Sequence, residues 1–220
     1  MSSVQSVVFL HGLGEGPGVW DAQRAALPSG FEGVAVDVFD GADACAASGF
    51  SLEGAATRVV SELDRLGIEQ AHVCGLSLGA MIALQLALDH PMRVRSLTLA
   101  AGQVKPPRVL MAIQSAVMRV LPSSVFEKQG AAKEVMLPVL RAVRRVDFSA
   151  RLASVSVPTL VLCGSKDRPN LPAARQLTQG IRDAQLHIIP GAGHQSHVQA
   201  TEEFSRALGA LLGGAAAGDK

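Results

Sequence analysis

Residues 71–88 of the chain read AHVCGLSLGAMIALQLAL, and this stretch decides the fold. An apolar run leads into the pattern G-x-S-x-G at residues 75–79, and strong helix formers follow it. The pattern alone is weak evidence for a functional serine, since a chain with 22 glycines can contain it by chance. A strand before it and a helix after it are the setting of a sharp, strained turn that exposes a serine hydroxyl. We therefore predict a strand, a turn at Ser77 and a helix.

Short apolar runs and helix-like stretches alternate along the rest of the chain. The apolar runs lie at residues 7–10, 33–38, 71–74, 95–100, 158–163 and 186–189. Several are continuous, which is typical of strands covered on both faces. Helix-like stretches lie at residues 19–27, 52–66, 78–89, 172–181 and 201–212. This order predicts an α/β fold with a doubly wound, mostly parallel sheet of about six strands.

One stretch interrupts the alternation. Residues 105–150 place apolar side chains at helical spacing and contain no strand-like run, so we expect a small inserted helical lid. Residues 213–220 are small, polar and rich in glycine, and we expect a disordered tail there. A chain of 220 residues builds one core, so residues 1–220 are predicted to form a single domain.

Two further loops supply the partners that a serine nucleophile needs. A serine hydroxyl is a poor nucleophile unless a histidine, oriented by a carboxylate, accepts its proton. Asp167 follows the apolar run at residues 158–163, and His194 follows the run at 186–189. Because the carboxyl ends of parallel strands meet at one edge of a sheet, these two side chains are expected to lie beside Ser77. The sequence predicts Ser77 as nucleophile, His194 as base and Asp167 as the orienting residue.

The loop after the first strand-like run reads HGLG at residues 11–14. Its small residues allow backbone N–H groups to approach a substrate carbonyl, and we predict an oxyanion hole from the amides of Leu13 and Leu78. His11 is interpreted as a brace for this loop. Residues predicted to contact the substrate are His11, Gly12, Leu76, Met111 and Met118. The two lid methionines are equally consistent with core packing.

These motifs occur in the order HGxG, GxSxG, Asp167 and GxGH, the last at residues 191–194. In this order the chain resembles the α/β-hydrolase superfamily over nearly its whole length. It is similar to small lidded members such as enol-lactone hydrolases, carboxylesterases and menaquinone-pathway carbon–carbon lyases, which share stretches like GLSLG, MIALQLA and HPxRV. The resemblance implies a serine hydrolase. Members usually carry a β-hairpin before the His-Gly strand, whereas this strand begins within the first residues, so a reduced sheet is expected.

Charge and motif content argue against other classes of protein. Twenty basic and nineteen acidic residues nearly balance, so no nucleic-acid or membrane partner is expected. No signal segment and no apolar run of the ~18 residues that cross a bilayer is present, and a cytoplasmic location is expected. His194 and His197 lack a third metal ligand at suitable spacing, and the glycines at residues 12–18 give no G-x-G-x-x-G register. We therefore expect neither a metal nor a cofactor.

The predicted activity is hydrolysis of a small carboxylic ester, thioester or lactone through an acyl-enzyme on Ser77. Its substrate is a small molecule with a carbonyl centre. Two alternatives stay open. A cofactor-independent lyase or a carbon–carbon bond hydrolase would use the same triad to move a proton. A hydrolase-like binding protein would keep the triad nearly idle.

Overall fold

A parallel sheet lies at the centre of the structure, a computed structural model that describes residues 4–39, 49–106 and 133–217. Its six strands within these ranges are β1 (Gln5–Leu10), β2 (Phe31–Val36), β3 (Ala71–Leu76), β4 (Val94–Ala100), β5 (Thr159–Gly164) and β6 (Gln185–Ile189). Their order across the sheet is β2-β1-β3-β4-β5-β6, and every neighbouring pair is parallel. The predicted doubly wound sheet of about six strands is confirmed.

Helices lie at the positions where helical stretches were expected, and one short helix that was not expected follows the last strand. They are α1 (Asp21–Ala25), α2 (Leu52–Arg65), α3 (Leu78–Asp89), α4 (Lys133–Val143), α5 (Leu171–Gly180), α6 (Ser196–Gln199) and α7 (Thr201–Ala217), with short 3₁₀ turns at Pro17–Trp20, Pro91–Arg93 and Leu152–Ser154. Helix α2 begins where the hydroxyl of Ser51 accepts a hydrogen bond from the backbone N–H of Gly54. Among the described helices, none combines the length and the apolar character that crossing a membrane would require.

The end of α7 differs from the sequence-based expectation. This helix continues to Ala217, so it includes residues 213–217 of the segment that we expected to be a tail. Residues 215–217 are alanines, the strongest helix formers, and they extend the preceding helix beyond its last buried apolar residue, Leu212. Residues 218–220 lie outside the described residues.

Helix α4 belongs to the segment predicted as a lid. Its residues Val139 and Val143 are buried and join the core that also contains the buried faces of α2 and α3. Residues 107–132, which include Met111 and Met118, lie outside the described residues. The substrate contacts proposed for those two methionines therefore stay predictions.

Two clusters of buried apolar side chains lie on opposite faces of the sheet. Successive residues of a strand point to opposite faces, and β1 divides its side chains accordingly: Val8 belongs to one cluster and Phe9 to the other. The first cluster packs α2, α3 and α5 against the sheet, and the second packs Trp20 and α7. Every residue from Leu78 to Ala87 of α3 is buried, as expected for a helix that is apolar on all sides.

The strand order places a crevice beside the carboxyl end of β1. The chain leaves β1 for β2 on one side, and it places β3 and all later strands on the other side. Ligands of open α/β sheets bind at such a reversal of strand order. The loops that follow β1 and β3 meet at this position, so the HGLG loop and the turn at Ser77 border the same crevice.

Candidate active site

Ser77 lies in a sharp turn between β3 and α3. Its backbone has φ 53° and ψ −109°, in a region that residues other than glycine rarely occupy. Such a conformation costs about 1–3 kcal/mol and persists only where the surrounding structure enforces it. The Ser77 N–H donates to the carbonyl of Ala100 at 2.8 Å, which ties the turn to the end of β4. The predicted strand, strained turn and helix are all present.

Two glycines allow this turn to approach its neighbours. A Cβ atom at Gly75 would overlap the backbone carbonyl of Gly79, two residues beyond Ser77. A Cβ atom at Gly79 would overlap the carbonyl oxygen of Leu10 at the end of β1. The glycines of the G-x-S-x-G pattern are therefore required because backbone meets backbone on both sides of the turn.

Asp167 and His194 are hydrogen-bonded on the loops that follow β5 and β6. The Nδ1 atom of His194 donates to the Oδ2 atom of Asp167 at 2.9 Å. The Asp167 side chain is 4 % exposed and the His194 side chain 45 % exposed. A carboxylate at Nδ1 holds the neutral ring in the tautomer with an unprotonated Nε2. That tautomer is the one a general base needs.

The two loops are held together by their backbones. The N–H of Ser165 donates to the carbonyl of Ile189 at 2.9 Å, and that of Lys166 donates to the carbonyl of Ala192 at 2.8 Å. A side chain at Gly164 would overlap the carbonyl oxygen of Gly193. The contact between Asp167 and His194 therefore rests on a rigid connection between the ends of neighbouring strands.

Sequence reasoning missed Asn170, which supports this pair. The Nδ2 group of Asn170 lies 2.9 Å from both carboxylate oxygens of Asp167, and its side-chain oxygen accepts a hydrogen bond from Gln103. In sequence, an asparagine before Leu171 is typical of a helix N-cap. The structure shows no side-chain cap bond there, because the amide is turned towards Asp167.

Ser77 and His194 line one pocket of about 240 Å³. The other described lining residues are Gly12, Leu13, Glu15, Leu76, Gln195 and Gln199. No direct hydrogen bond between the Ser77 and His194 side chains occurs among the described contacts, and such contacts are often long before substrate binds. Two larger pockets, about 440 Å³ each, lie along α2, and neither is lined by Ser77 or His194.

The pocket brings together half of the predicted site residues. Ser77, His194, Gly12, Leu13 and Leu76 all line it. Leu78 is the first residue of α3, so its N–H has no acceptor within the helix and lies directly beside Ser77.

His11 is not among the described residues that line the pocket, and the substrate contact predicted for it stays a prediction. It is fully buried; its Nδ1 atom donates to the carbonyl of Gly12 at 2.9 Å, and its Nε2 atom accepts from the N–H of Val38 at 3.2 Å. The carboxylate of Asp37 lies 3.1 Å from the same Nε2 atom. These contacts turn the ring away from the crevice and leave His11 as a brace between the HGLG loop and the end of β2.

Glu15 is a second residue that sequence reasoning missed. One carboxylate oxygen accepts a hydrogen bond from the N–H of Gly12 at 2.9 Å, and the other accepts one from Nε2 of Gln195 at 2.8 Å. Glu15 therefore joins the HGLG loop to the loop that carries His194. A charged residue in the glycine-rich stretch after β1 was the signal that could have drawn attention to it.

His197 lies behind the pocket in an apolar environment. Its ring is fully buried, with its centroid 4.7 Å from that of Trp20 and 6.2 Å from that of Phe204. Neither ring nitrogen has a hydrogen-bond partner within the described residues. Burial lowers the pKa of His197; the charge of Glu15 acts in the opposite direction, and that of His194 lowers it further.

The lowered pKa of His197 predicts a loss of stability in mild acid. The unfolded chain, in which a histidine has a pKa of about 6.5, binds this proton more readily than the folded protein. Above about pH 6.5, the neutral ring therefore contributes its full stabilisation to the folded protein. This stabilisation is lost as the pH falls towards the pKa of His197 in the folded state. We expect the melting temperature to fall between about pH 7.5 and pH 5.5, and to fall less in His197→Leu. Equal decreases in both proteins, measured by thermal denaturation, would contradict this prediction.

Comparison with known proteins identifies the family to which the chain belongs. A family model described as the alpha/beta hydrolase family matches residues 7–207. The chain belongs to the alpha/beta hydrolase family and is an enzyme of the hydrolase class.

Several relatives align along most of their length. A Klebsiella pneumoniae protein named as a carbamate hydrolase, RutD, is 31% identical over 92% of this chain and 89% of its own. The 3-oxoadipate enol-lactonase 1 of Acinetobacter baylyi is 26% identical over 90% of this chain and 85% of its own. Among solved structures, MenH from S. aureus superposes with a TM-score of 0.81 at 18% identity, covering 98% of this chain and 96% of that one. The last similarity concerns the fold alone.

Proposed function

We propose that this enzyme hydrolyses a small carboxylic ester, thioester or lactone through an acyl-enzyme on Ser77. The observation that carries the proposal is the Asp167–His194 hydrogen bond of 2.9 Å, which occupies Nδ1 of His194 and orients its ring in a pocket shared with Ser77. A nucleophile, a base and an orienting carboxylate in this relation are the three parts of a serine-hydrolase triad.

The reaction follows from the position of each group. The Ser77 hydroxyl attacks the substrate carbonyl while His194 accepts its proton. When the tetrahedral intermediate collapses, His194 returns the proton to the departing alcohol, thiol or lactone oxygen. A water molecule, activated by the same histidine, then attacks the acyl-enzyme and releases the acid. Asp167 stays ionised throughout and stabilises the imidazolium.

The negative charge that develops on the carbonyl oxygen requires donors at the other side of the pocket. We assign this role to the backbone N–H groups of Leu13 and Leu78. The second of these begins α3, whose positive dipole end favours negative charge beside Ser77. The backbone of Gly12 and the side chain of Leu76 are assigned to contacts with the acyl group, because both line the pocket.

The names of the relatives support a substrate with an activated carbonyl. A carbamate and an enol-lactone each contain a carbonyl carbon bonded to a heteroatom that can depart. Both are attacked by the same kind of nucleophile and need the same oxyanion donors.

Carbon–carbon bond hydrolysis is a second candidate function. A Dechloromonas aromatica relative, 26% identical over 93% of this chain and 86% of its own length, is named as a hydrolase of 2-hydroxy-6-oxononadienedioate and 2-hydroxy-6-oxononatrienedioate. These compounds contain no ester, so their hydrolysis breaks a carbon–carbon bond. Two results together would favour this function. The enzyme would turn over a 2-hydroxy-6-oxo dienoate, and slowly hydrolysed esters would leave no acyl group on Ser77.

The proposal is tested by intact-mass spectrometry after exposure to a fluorophosphonate. The wild-type protein is expected to gain one adduct that maps to Ser77, and Ser77→Ala is expected to gain none. Ser61→Ala, which removes an exposed serine of α2, is the matched control and is expected to label as the wild type does. An adduct that persists in Ser77→Ala, or no adduct on the folded wild type, would contradict an activated serine at this position.

A further inference from the structure

The pocket around Ser77 contains a carboxylate that the proposed mechanism does not use. Among the described lining residues, Glu15 and His194 are the ionisable ones, and the remaining polar groups belong to neutral side chains. Asp167, the other carboxylate nearby, is nearly fully buried behind His194. Within the described part of the pocket, the carboxylate charge that a substrate meets is therefore that of Glu15.

Both oxygens of Glu15 are held by neutral donors. One accepts from the backbone N–H of Gly12 at 2.9 Å and the other from the side-chain amide of Gln195 at 2.8 Å. Two hydrogen bonds from separate loops hold the carboxylate at the wall of the pocket. Neither donor carries a formal charge, and no lysine or arginine occurs among the described lining residues. The negative charge of Glu15 is thus held in position without a neutralising cation among the residues that the structure describes at the pocket.

The charge of Glu15 also affects groups to which it is not hydrogen-bonded. It acts on the buried ring of His197, where it opposes the lowering of the pKa by burial. A pocket of about 240 Å³ is roughly 8 Å across if it is taken as a sphere, and two unit charges at such a distance interact appreciably where water is partly excluded. A charged group of a substrate bound beside Ser77 would lie within this range.

We propose that Glu15 selects substrates by their charge, favouring esters with a cationic group near the scissile carbonyl and disfavouring those with a carboxylate there. The inference rests on the proposed ester-hydrolase function of Ser77. By this criterion, the acids that the names of two relatives contain, 3-oxoadipate and 2-hydroxy-6-oxononadienedioate, are poor models for the substrate of this enzyme.

The test compares two esters of the same shape and different charge. The 4-nitrophenyl esters of 4-(trimethylammonio)butanoate and of 5,5-dimethylhexanoate differ only in the replacement of N⁺ by carbon. We expect the wild-type kcat/KM to be about tenfold higher for the cationic ester, and Glu15→Gln to bring the ratio of the two values close to one. For the mono-4-nitrophenyl ester of glutarate, which is anionic, Glu15→Gln is expected to raise kcat/KM relative to that of the neutral ester.

The ratio of the kcat/KM values for the cationic and neutral esters distinguishes electrostatic selection by Glu15 from a structural role of this residue. Loss of the tie between the HGLG loop and Gln195 would change the rates of all three esters together and leave their ratios unchanged. Glu69→Gln removes the same charge from an exposed residue just before β3, at the amino ends of the strands and away from the pocket. This control variant is expected to keep the wild-type ratio of the two kcat/KM values. In the wild type alone, added salt is expected to reduce the preference for the cationic ester, because screening weakens interactions between partly exposed charges.

The outcomes separate this inference from the function on which it rests. Hydrolysis of the esters with equal ratios in wild type and Glu15→Gln, or a wild-type ratio that does not respond to salt, overturns the role of Glu15 and leaves the function of Ser77 intact. Failure of the folded wild type to hydrolyse any of the three esters overturns the proposed function, and the inference falls with it.

Discussion

Replacement of Ser77 by alanine is expected to lower kcat/KM for the best ester substrate by at least about 10⁴-fold. Alanine removes the attacking oxygen, and no other hydroxyl lines the pocket among its described residues. The oxyanion donors and the binding surface remain, so a small residual activity over the uncatalysed reaction is expected. Initial rates on purified wild type and variant, measured with the same ester, check this prediction. A variant that keeps more than about a tenth of the wild-type activity would contradict an acyl-enzyme on Ser77.

A glycine at the same position separates the loss of the nucleophile from any damage to the fold. Ser77→Gly also lacks the hydroxyl, but glycine adopts φ 53° without a steric penalty. Alanine keeps most of that strain. We therefore expect both variants to be equally inactive and Ser77→Gly to be more stable than Ser77→Ala by about 1 kcal/mol. Urea denaturation measures this difference, and equal stabilities would indicate that the turn is not strained.

Replacement of Gly79 by alanine is expected to destabilise the protein by about 3 kcal/mol or more. In an ordinary helix, glycine to alanine is stabilising by about 1 kcal/mol, because alanine has the higher helix propensity. Here the new Cβ atom would overlap the carbonyl oxygen of Leu10, and its next neighbour is the carbonyl of His11. Backbone atoms of a buried strand cannot rotate away as a side chain does. The substitution must separate α3 from β1 and so displace Ser77 as well.

The matched control for this prediction is another glycine within a helix. At Gly209 in α7, an added Cβ atom would meet the ring of Pro28 at 3.6 Å, which is an ordinary contact. Gly209→Ala is expected to leave stability unchanged or raise it by up to about 1 kcal/mol. Denaturation midpoints that move in the same direction in both variants would contradict the close approach of α3 to β1.

The sheet and the candidate site residues could be predicted from local sequence. Strands covered on both faces need continuous apolar runs, and each of the six runs became a strand of the parallel sheet. Ser77, Asp167 and His194 each lie three to five residues after such a run, so the rule that parallel strands end at one edge was enough to predict that they lie near one another. Asp167 and His194 are indeed hydrogen-bonded.

The partners of these residues could not be read in the same way. Asn170 has the sequence context of a helix cap, but its amide is turned towards Asp167. His11 follows a strand as the site residues do, yet its ring is turned towards Gly12 and Val38 and away from the pocket. A side chain after a strand can point into the pocket or away from it, and residue type and spacing are the same in both cases. A local sequence pattern therefore does not predict its orientation.

The sequence by itself determined the succession of strands and helices and the strained turn at Ser77, and it predicted the three residues of a triad, because periodicity, small residues and strand ends are local properties. Only the tertiary structure decided which side chains surround that triad. Glu15 and Gln195 are separated by 180 positions along the chain and meet across the pocket. Their contact depends on how the loops after β1 and β6 pack at one edge of the sheet, and packing between distant segments leaves no periodic trace in the sequence.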